Sequence, residues 1–166
     1  KKQMRLAQEI VELGKPTILV LFSGRPLVLN WFDQNVDAIL EVWYPGTEGG
    51  NAIAEVLFGE CAPSAKLPVS FPRHEGQIPV YYNHYSTGRP PLKKGHTGFK
   101  STYLDCPNEP LYSFGHGLTY TTFEYKNLSL STKTLRADET LKVSVDVENT
   151  GELEGRKVVQ LYVQDV

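Results

Sequence analysis

Apolar residues near the amino terminus recur at spacings that change from helical to strand-like. Between positions 4 and 13 they recur three and four residues apart, which predicts a helix that ends at Gly14. Residues 17–22 and 38–43 are continuous apolar runs of strand length. Such runs are typical of strands that are covered on both faces in a parallel sheet. We therefore expect two neighbouring buried strands in this part of the chain.

Two further helices and a short strand continue the pattern up to residue 72. A short helix capped by Asn30 is predicted at residues 30–34, and a longer helix begins at or just before the glycine pair 49–50. Residues 67–71 predict a strand near a sheet edge, because the prolines within and after this run have no backbone N–H to donate. Residues 1–72 are thus predicted to form an α/β domain, with a small, open, mostly parallel sheet flanked by helices.

Residues 73–122 show no regular periodicity. Together with position 72 they contain six of the eleven prolines, and a group of tyrosines lies among them. Disordered segments are poor in aromatic residues, so these tyrosines argue against disorder. We expect a long ordered loop or linker that wraps the first domain or lies against another part of the protein.

After Phe123 apolar and polar residues alternate, as they do in half-buried antiparallel strands. A first strand is predicted at residues 123–131 and a second at residues 141–148. A turn at Asn149-Thr150-Gly151 leads to a third run, with apolar residues at positions 159, 161 and 163. Residues 123–166 therefore predict the first strands of an incomplete antiparallel β-sandwich, since a complete one needs about seven strands.

Charge and composition narrow the possible functions. The chain of 166 residues has 17 basic and 19 acidic residues, a net charge of -2, which is too balanced to attract a polynucleotide. No apolar run approaches the ~18 residues that a membrane helix needs. Hydrophobic residues make up 40% of the chain, as in folded globular proteins. We expect neither a nucleic-acid partner nor a membrane-spanning segment.

The cysteines and histidines are not spaced for metal or redox chemistry. Cys61 and Cys106 are the only two cysteines, and neither has a CxxC neighbour, so we expect both to be unpaired. The histidines lie in predicted loops without the spacing of metal ligands. They are His74, His84, His96 and His116. No metal site and no cofactor are predicted.

Four residues are candidates for a substrate-binding site. Glu48 lies in a glycine-rich loop at the carboxyl end of the second predicted strand, where open α/β sheets bind ligands. A simpler interpretation is an acid that interacts favourably with the start of the next helix. Tyr81, Tyr82 and Arg89 could stack on a sugar ring, and they could equally pack the long loop down.

No catalytic residue can be assigned from the spacing of polar side chains. Ser23 follows the first predicted strand, but Leu21 and Arg25 occupy the glycine positions that a hydrolase nucleophile elbow requires. Glycoside hydrolysis needs two carboxyl groups about 5 to 10 Å apart, and the spacing of the acids here selects no such pair.

Five segments of the chain have distinctive motifs, at residues 45–59, 63–72, 77–84, 87–90 and 110–123. Together they resemble the second domain of glycoside hydrolase family 3, particularly that of its periplasmic bacterial β-glucosidases. The last of them resembles the passage of this family into its fibronectin type III-like domain. Two local departures are Ala65, where the family commonly has glycine, and His116, where it commonly has tyrosine.

The resemblance implies a piece of a retaining β-glucosidase that hydrolyses terminal β-D-glucosyl residues by double displacement. In this family the nucleophilic aspartate lies on an N-terminal barrel, and the acid/base glutamate lies there or early in the second domain. No residue of this chain matches either motif, so we expect an N-terminally truncated α/β domain that is inactive alone. It would form one wall of the cleft and support the missing barrel. A periplasmic or secreted location is also implied.

Other interpretations remain open. The chain could be a non-catalytic carbohydrate-binding or structural module, or part of a β-xylosidase of the same family. A stand-alone hydrolase that uses Glu48 is the weakest hypothesis, because no partner acid is identifiable. An incomplete sandwich also leaves open strand edges, which predict a homodimer in which two chains pair about a two-fold axis.

Overall fold

A computed structural model describes residues 2–85, 87–89 and 101–164. These residues form two compact units, each assembled from two stretches of the chain. The first unit comprises Lys1–Gly50 and Leu67–His116, and the second comprises Asn51–Lys66 and Gly117–Val166. The helices are α1 (Lys2–Val11), α2 (Asn30–Asn35) and α3 (Gly49–Leu57), with a 3-10 turn at Glu75–Gln77, and the strands are β1 (Ile18–Leu21), β2 (Ala38–Glu41), β3 (Phe123–Leu130) and β4 (Val143–Asn149).

The predicted parallel sheet is present in the first unit. Strands β1 and β2 pair in parallel, with Leu19 opposite Ile39, and helix α2 packs against β2. The prediction that both strands are fully buried is wrong, because both are half-buried and Ile18 is exposed. Among the described residues this sheet has two strands, so each strand keeps one open edge.

Helix α2 forms where it was predicted, but its start differs from the prediction. The helix includes Asn30, and the residue in the N-cap position is Leu29, which makes no side-chain hydrogen bond to the helix. Leu29 is instead one of the buried apolar residues of the chain, so packing rather than capping fixes this helix start.

The strand predicted at residues 67–71 is wrong. Its two ends attach to the segment 111–116 by backbone hydrogen bonds, from Leu67 N–H to the His116 carbonyl and from Phe71 N–H to the Tyr112 carbonyl (both 2.8 Å). Only Phe71 and Tyr112 form a β-bridge. Pro68 has no N–H, so the run cannot donate the bonds that a continuous strand needs.

One buried side chain, that of Gln77, connects two described parts of the long loop. Gln77 is 1% exposed, and its Oε1 accepts the N–H of Arg73 (2.6 Å). Its Nε2 donates to the carbonyl oxygens of Pro107 (2.7 Å) and Glu109 (3.5 Å). The loop is therefore ordered here, while Ser86 and residues 90–100, which include His96, lie outside the described residues.

Strands β3 and β4 form an antiparallel ribbon in the second unit. Tyr125 lies opposite Val147, and Leu130 lies opposite Val143. A β-bulge between Lys126 and Ser129 adds one residue to β3. Because side chains alternate along a strand, this extra residue returns Leu130 to the apolar face of the ribbon.

The third strand predicted around residues 159–163 is wrong. This run has no regular secondary structure, and Leu161 and Val163 are strongly exposed. A strand needs a neighbouring backbone to accept and donate its hydrogen bonds, and the alternating sequence alone does not supply one.

Candidate functional site

The carboxyl ends of β1 and β2 bring five residues of the first unit to one edge of the sheet. Ser23 and Gly24 follow β1, Glu41 is the last residue of β2, and Trp43 and Tyr44 follow it after Val42. This edge is where open parallel sheets bind ligands, because the loops there diverge and leave a crevice. It is therefore the first place to look for a site.

The Glu41 carboxylate is directed at backbone rather than at solvent. Its Oε1 accepts the N–H of Trp43 (2.9 Å), while its Oε2 is buried without a hydrogen-bond partner among the described residues. Burial raises the pKa of Glu41 above its ordinary value, and the backbone N–H groups of Trp43 and Ser23 oppose this shift. The side chain thus fastens the end of β2 to the turn that follows it.

Trp43 has an unusual backbone conformation. Its φ is 51°, in the left-handed region that bulky side chains rarely adopt and that costs about 1–2 kcal/mol. Its half-buried indole lies 5.9 Å from the ring of Phe71, which is almost fully buried. The hydrogen bond to Glu41 and this ring contact hold Trp43 in this conformation.

The hydroxyl of Ser23 is not arranged as a catalytic nucleophile would be. Its Oγ donates to the carbonyl oxygen of Arg25 (2.6 Å) and accepts the Arg25 N–H (3.3 Å). The hydroxyl proton therefore points at a carbonyl, which cannot act as a general base. Ser23 closes a local turn after β1.

Phe71 connects Trp43 to a cluster of further ring side chains. Phe71 also contacts Tyr112, with ring centroids 6.3 Å apart, and the Tyr112 ring is stacked against His116. The Tyr112 hydroxyl donates to Asp33 Oδ1 (2.6 Å). Burial, together with this bond and the charge of Asp33, raises the pKa of Tyr112. These contacts join α2 to the loop around residue 112.

The residues predicted from the sequence lie in exposed positions. Glu48 is exposed in the turn before α3, as expected for an acid near a helix start. Tyr82 is stacked on Phe114, with centroids 4.3 Å apart, so packing explains part of its role. Tyr81 is 62% exposed, and Arg89 is exposed. A binding role for Glu48, Tyr81, Tyr82 and Arg89 stays a prediction.

Sequence reasoning missed Glu41, Trp43 and Tyr44. The available signal was an acid that ends an otherwise apolar strand and is followed by two aromatic residues before Pro45. The sign of φ at Trp43 and the direction of the carboxylate depend on neighbouring loops, so the sequence pattern could not show them.

The described residues contain no group of three or more His, Cys, Asp or Glu side chains that could hold a metal ion. Cys61 and Cys106 both carry free thiols. In the same part of the chain, no helix combines the length and the apolar character needed to cross a bilayer.

Comparison with known proteins shows the family. Residues 1–120 match the family model of the glycosyl hydrolase family 3 C-terminal domain. The chain therefore belongs to glycoside hydrolase family 3, as the resemblance of its motifs predicted.

The relatives and solved structures agree with this assignment. The chain is 53% identical to a periplasmic beta-glucosidase of Salmonella typhimurium over 100% of its own length and 22% of that protein. It is 44% identical to a beta-xylosidase of Formosa agariphila, over 98% of its own length and 22% of that protein. The crystal structure of a beta-glucosidase from Listeria innocua matches with a TM-score of 0.88 and 47% identity. This match covers 93% of the present chain and 21% of the Listeria protein. The chain thus spans about a fifth of the length of these proteins.

Proposed function

We propose that the whole protein to which this chain belongs is a β-glucosidase that releases terminal β-D-glucosyl residues by double displacement. The similarity to the Salmonella periplasmic beta-glucosidase over the full chain carries this proposal. Solved structures of the similar Listeria innocua beta-glucosidase are described as complexes with glucose, gluconolactone and laminaribiose, which supports a β-glucoside substrate.

Within that enzyme, the chain is a cleft wall and scaffold rather than the source of the catalytic pair. Retaining hydrolysis needs two carboxyl groups about 5 to 5.5 Å apart across one bond. The Glu41 carboxylate accepts the backbone N–H of Trp43 and fastens the end of β2. As the family resemblance implies, we expect the catalytic pair to lie on an N-terminal barrel outside this chain.

The proposed domain boundaries follow the sequence pattern. Residues 1–72 belong to an α/β sandwich domain, and residues 73–122 form the connecting loop. Residues 123–166 begin a fibronectin type III-like domain, and the antiparallel β3–β4 ribbon supports this. Glu48, Tyr81, Tyr82 and Arg89 are proposed to face the substrate.

A β-xylosidase is the second candidate. The 44% identity to the Formosa agariphila beta-xylosidase favours it, because that match also covers nearly the whole chain. The two activities differ by one hydroxymethyl group on the sugar, and the family resemblance implies that the residues contacting this group lie largely on the barrel outside this chain.

The decisive experiment compares two aryl glycosides with the full-length protein. We expect p-nitrophenyl β-D-glucoside to give a higher kcat/KM than p-nitrophenyl β-D-xyloside. The reverse order would assign a β-xylosidase, and no turnover of either would contradict both candidates. The chain of 166 residues alone should show only background hydrolysis; activity that disappears on Glu48→Gln would overturn the assignment of the chemistry to another domain.

A periplasmic or secreted location is proposed from the name of the Salmonella relative. Fractionation of cells that express the full-length protein tests it. Release of the protein together with a periplasmic marker, or into the medium, is expected, and retention with a cytoplasmic marker would contradict it.

A further inference from the structure

The edge formed by β1 and β2 carries two aromatic side chains that the proposed function does not use. Trp43 is half-buried, and Tyr44 is 83% exposed. Both follow the carboxyl end of β2 in the first unit, so their relation to this edge depends on that unit alone. An exposed tyrosine beside a tryptophan at this place in an open sheet needs an explanation.

Gly24 makes room for the Tyr44 ring. A Cβ atom at position 24 would lie 2.5 Å from Tyr44 Cε2 and 2.7 Å from Cζ, which is closer than such atoms approach. The tip and one edge of the phenol ring therefore lie against the backbone of the loop after β1, and most of the side chain is open to solvent. A ring held in this way loses little conformational freedom when a ligand stacks on it.

Glu41 fixes the backbone of the neighbouring Trp43. Its Oε1 accepts the Trp43 N–H, and Trp43 has a φ of 51°. Residues held in such conformations cluster at ligand clamps, where the surrounding structure determines them. Because the carboxylate acts through the backbone of Trp43, we assign Glu41 as a positioning residue rather than a ligand contact.

We propose that Trp43 and Tyr44 form a stacking platform for the pyranose ring of a β-glucoside, held in place by Gly24 and Glu41. An aromatic face carries partial negative charge, and the flat face of a β-glucopyranoside presents axial C–H groups of partial positive charge. This proposal rests on the proposed β-glucosidase function for its choice of sugar. The platform itself belongs wholly to residues 23–44 of the first unit.

The two tryptophans of the chain allow a direct test. Trp31→Phe leaves Trp43 as the single indole, so the fluorescence of this variant reports on the platform. Titration of the 166-residue chain with methyl β-D-glucopyranoside or cellobiose should give a saturable change, with a dissociation constant on the order of millimolar. Mannitol, a polyol without a pyranose face, should give none. A change that does not saturate, or that mannitol reproduces, would overturn the platform.

Two glycines provide matched variants in the Trp31→Phe background. Gly24→Ala places a methyl group against the Tyr44 ring and should weaken binding at least about fivefold, because the ring is displaced. A Cβ atom at position 46 would meet nothing within 4 Å, so the Gly46→Ala variant should bind the sugar as before. Circular dichroism checks that both variants fold. Equal affinities in the two folded variants would contradict the role of Gly24 and Tyr44.

The positioning role of Glu41 has its own spectroscopic readout. Glu41→Gln leaves one acceptor oxygen and turns an N–H₂ group toward backbone donors, so the emission maximum of Trp43 should shift even without sugar, and binding should weaken. Glu12→Gln removes a charge from an exposed position of the same unit and should change neither. Identical spectra for the two variants would refute the positioning of Trp43 by Glu41.

The test separates this inference from the proposed function. If the full-length protein hydrolyses β-glucosides while the chain shows no saturable response, the platform is wrong and the function stands. If the chain binds glucosides and the full-length protein hydrolyses none, the platform stands and the proposed activity is wrong.

Discussion

Gln77 illustrates how one residue can order a long loop. Its amide accepts from one side of the loop and donates to carbonyl oxygens about thirty positions further along the chain, at Pro107 and Glu109. Burial is favourable only because these partners satisfy the polar atoms. In a segment without regular secondary structure, such a side chain replaces the hydrogen bonds that a sheet would provide.

Replacing Gln77 with alanine should destabilise the fold by about 2 to 4 kcal/mol, because buried backbone groups lose their partners. Gln34→Ala, at an exposed position in α2, should cost less than about 0.5 kcal/mol. Urea denaturation of both variants measures the difference in free energy of unfolding. Similar small losses would show that the loop is ordered by other contacts.

Tyr112 should ionise at higher pH than an ordinary tyrosine, because burial, the hydrogen bond to Asp33 and the charge of Asp33 all raise its pKa. A raised folded-state pKa means that this contribution to stability is complete below the unfolded pKa near 10 and is lost as pH rises through the folded value.

Ultraviolet titration of the tyrosinate absorbance tests this shift. A late step is expected in the native chain, should disappear in Tyr112→Phe, and should move to lower pH in Asp33→Asn. A late step that persists in Tyr112→Phe would assign it to another tyrosine.

At the scale of elements, the start of helix α3 depends on two adjacent glycines that differ in their surroundings. Gly49 is buried, and a Cβ there would lie 2.5 Å from Pro45 Cβ. At Gly50 a Cβ would meet nothing within 4 Å. The proline ring cannot move away easily, so Gly49 is needed for close packing, whereas Gly50 only weakens the helix.

The two glycine-to-alanine substitutions should therefore have opposite signs. Gly49→Ala should destabilise the chain by about 1 to 3 kcal/mol through overpacking. Gly50→Ala should stabilise it by up to about 1 kcal/mol, because alanine favours the helix. Thermal unfolding followed by circular dichroism ranks the variants against the native chain. Two shifts of the same sign would contradict this account of the helix start.

The spacing of apolar residues correctly predicted the strands that pair with another strand in the structure. The runs that became β1 and β2, and the alternation of β4, were visible in the sequence because each strand finds a neighbour. Residues 159–163 alternate equally well and form no strand among the described residues. The edge around Glu41 and Trp43 escaped prediction for a related reason: a left-handed backbone and a carboxylate turned inward arise from tertiary contacts, which one sequence does not encode visibly.

At the scale of the whole molecule, the apolar face of the β3–β4 ribbon predicts self-association. Tyr125, Leu130 and Val147 lie on this face and are exposed, and open strand edges can pair with a second copy about a two-fold axis. Light scattering after size exclusion should show a dimer fraction that rises with concentration.

Leu130→Lys should reduce that fraction, because it places a charge on the apolar face. Ser129→Lys, on the polar face one residue away, should leave it unchanged. A monomer at all concentrations, with residues 140–163 protected from hydrogen exchange, would exclude the pairing.

The two compact units are interleaved along the chain, and this affects how the protein can be made and cut. The polypeptide leaves the first unit after Gly50, returns after Lys66 and leaves again after His116. We therefore expect Asn51–Lys66 to complete its contacts only after Gly117–Val166 has been synthesised, because both stretches belong to the second unit. For the same reason, we expect a single proteolytic cut after Lys66 to release neither unit, because each unit then keeps a stretch on both sides of the cut.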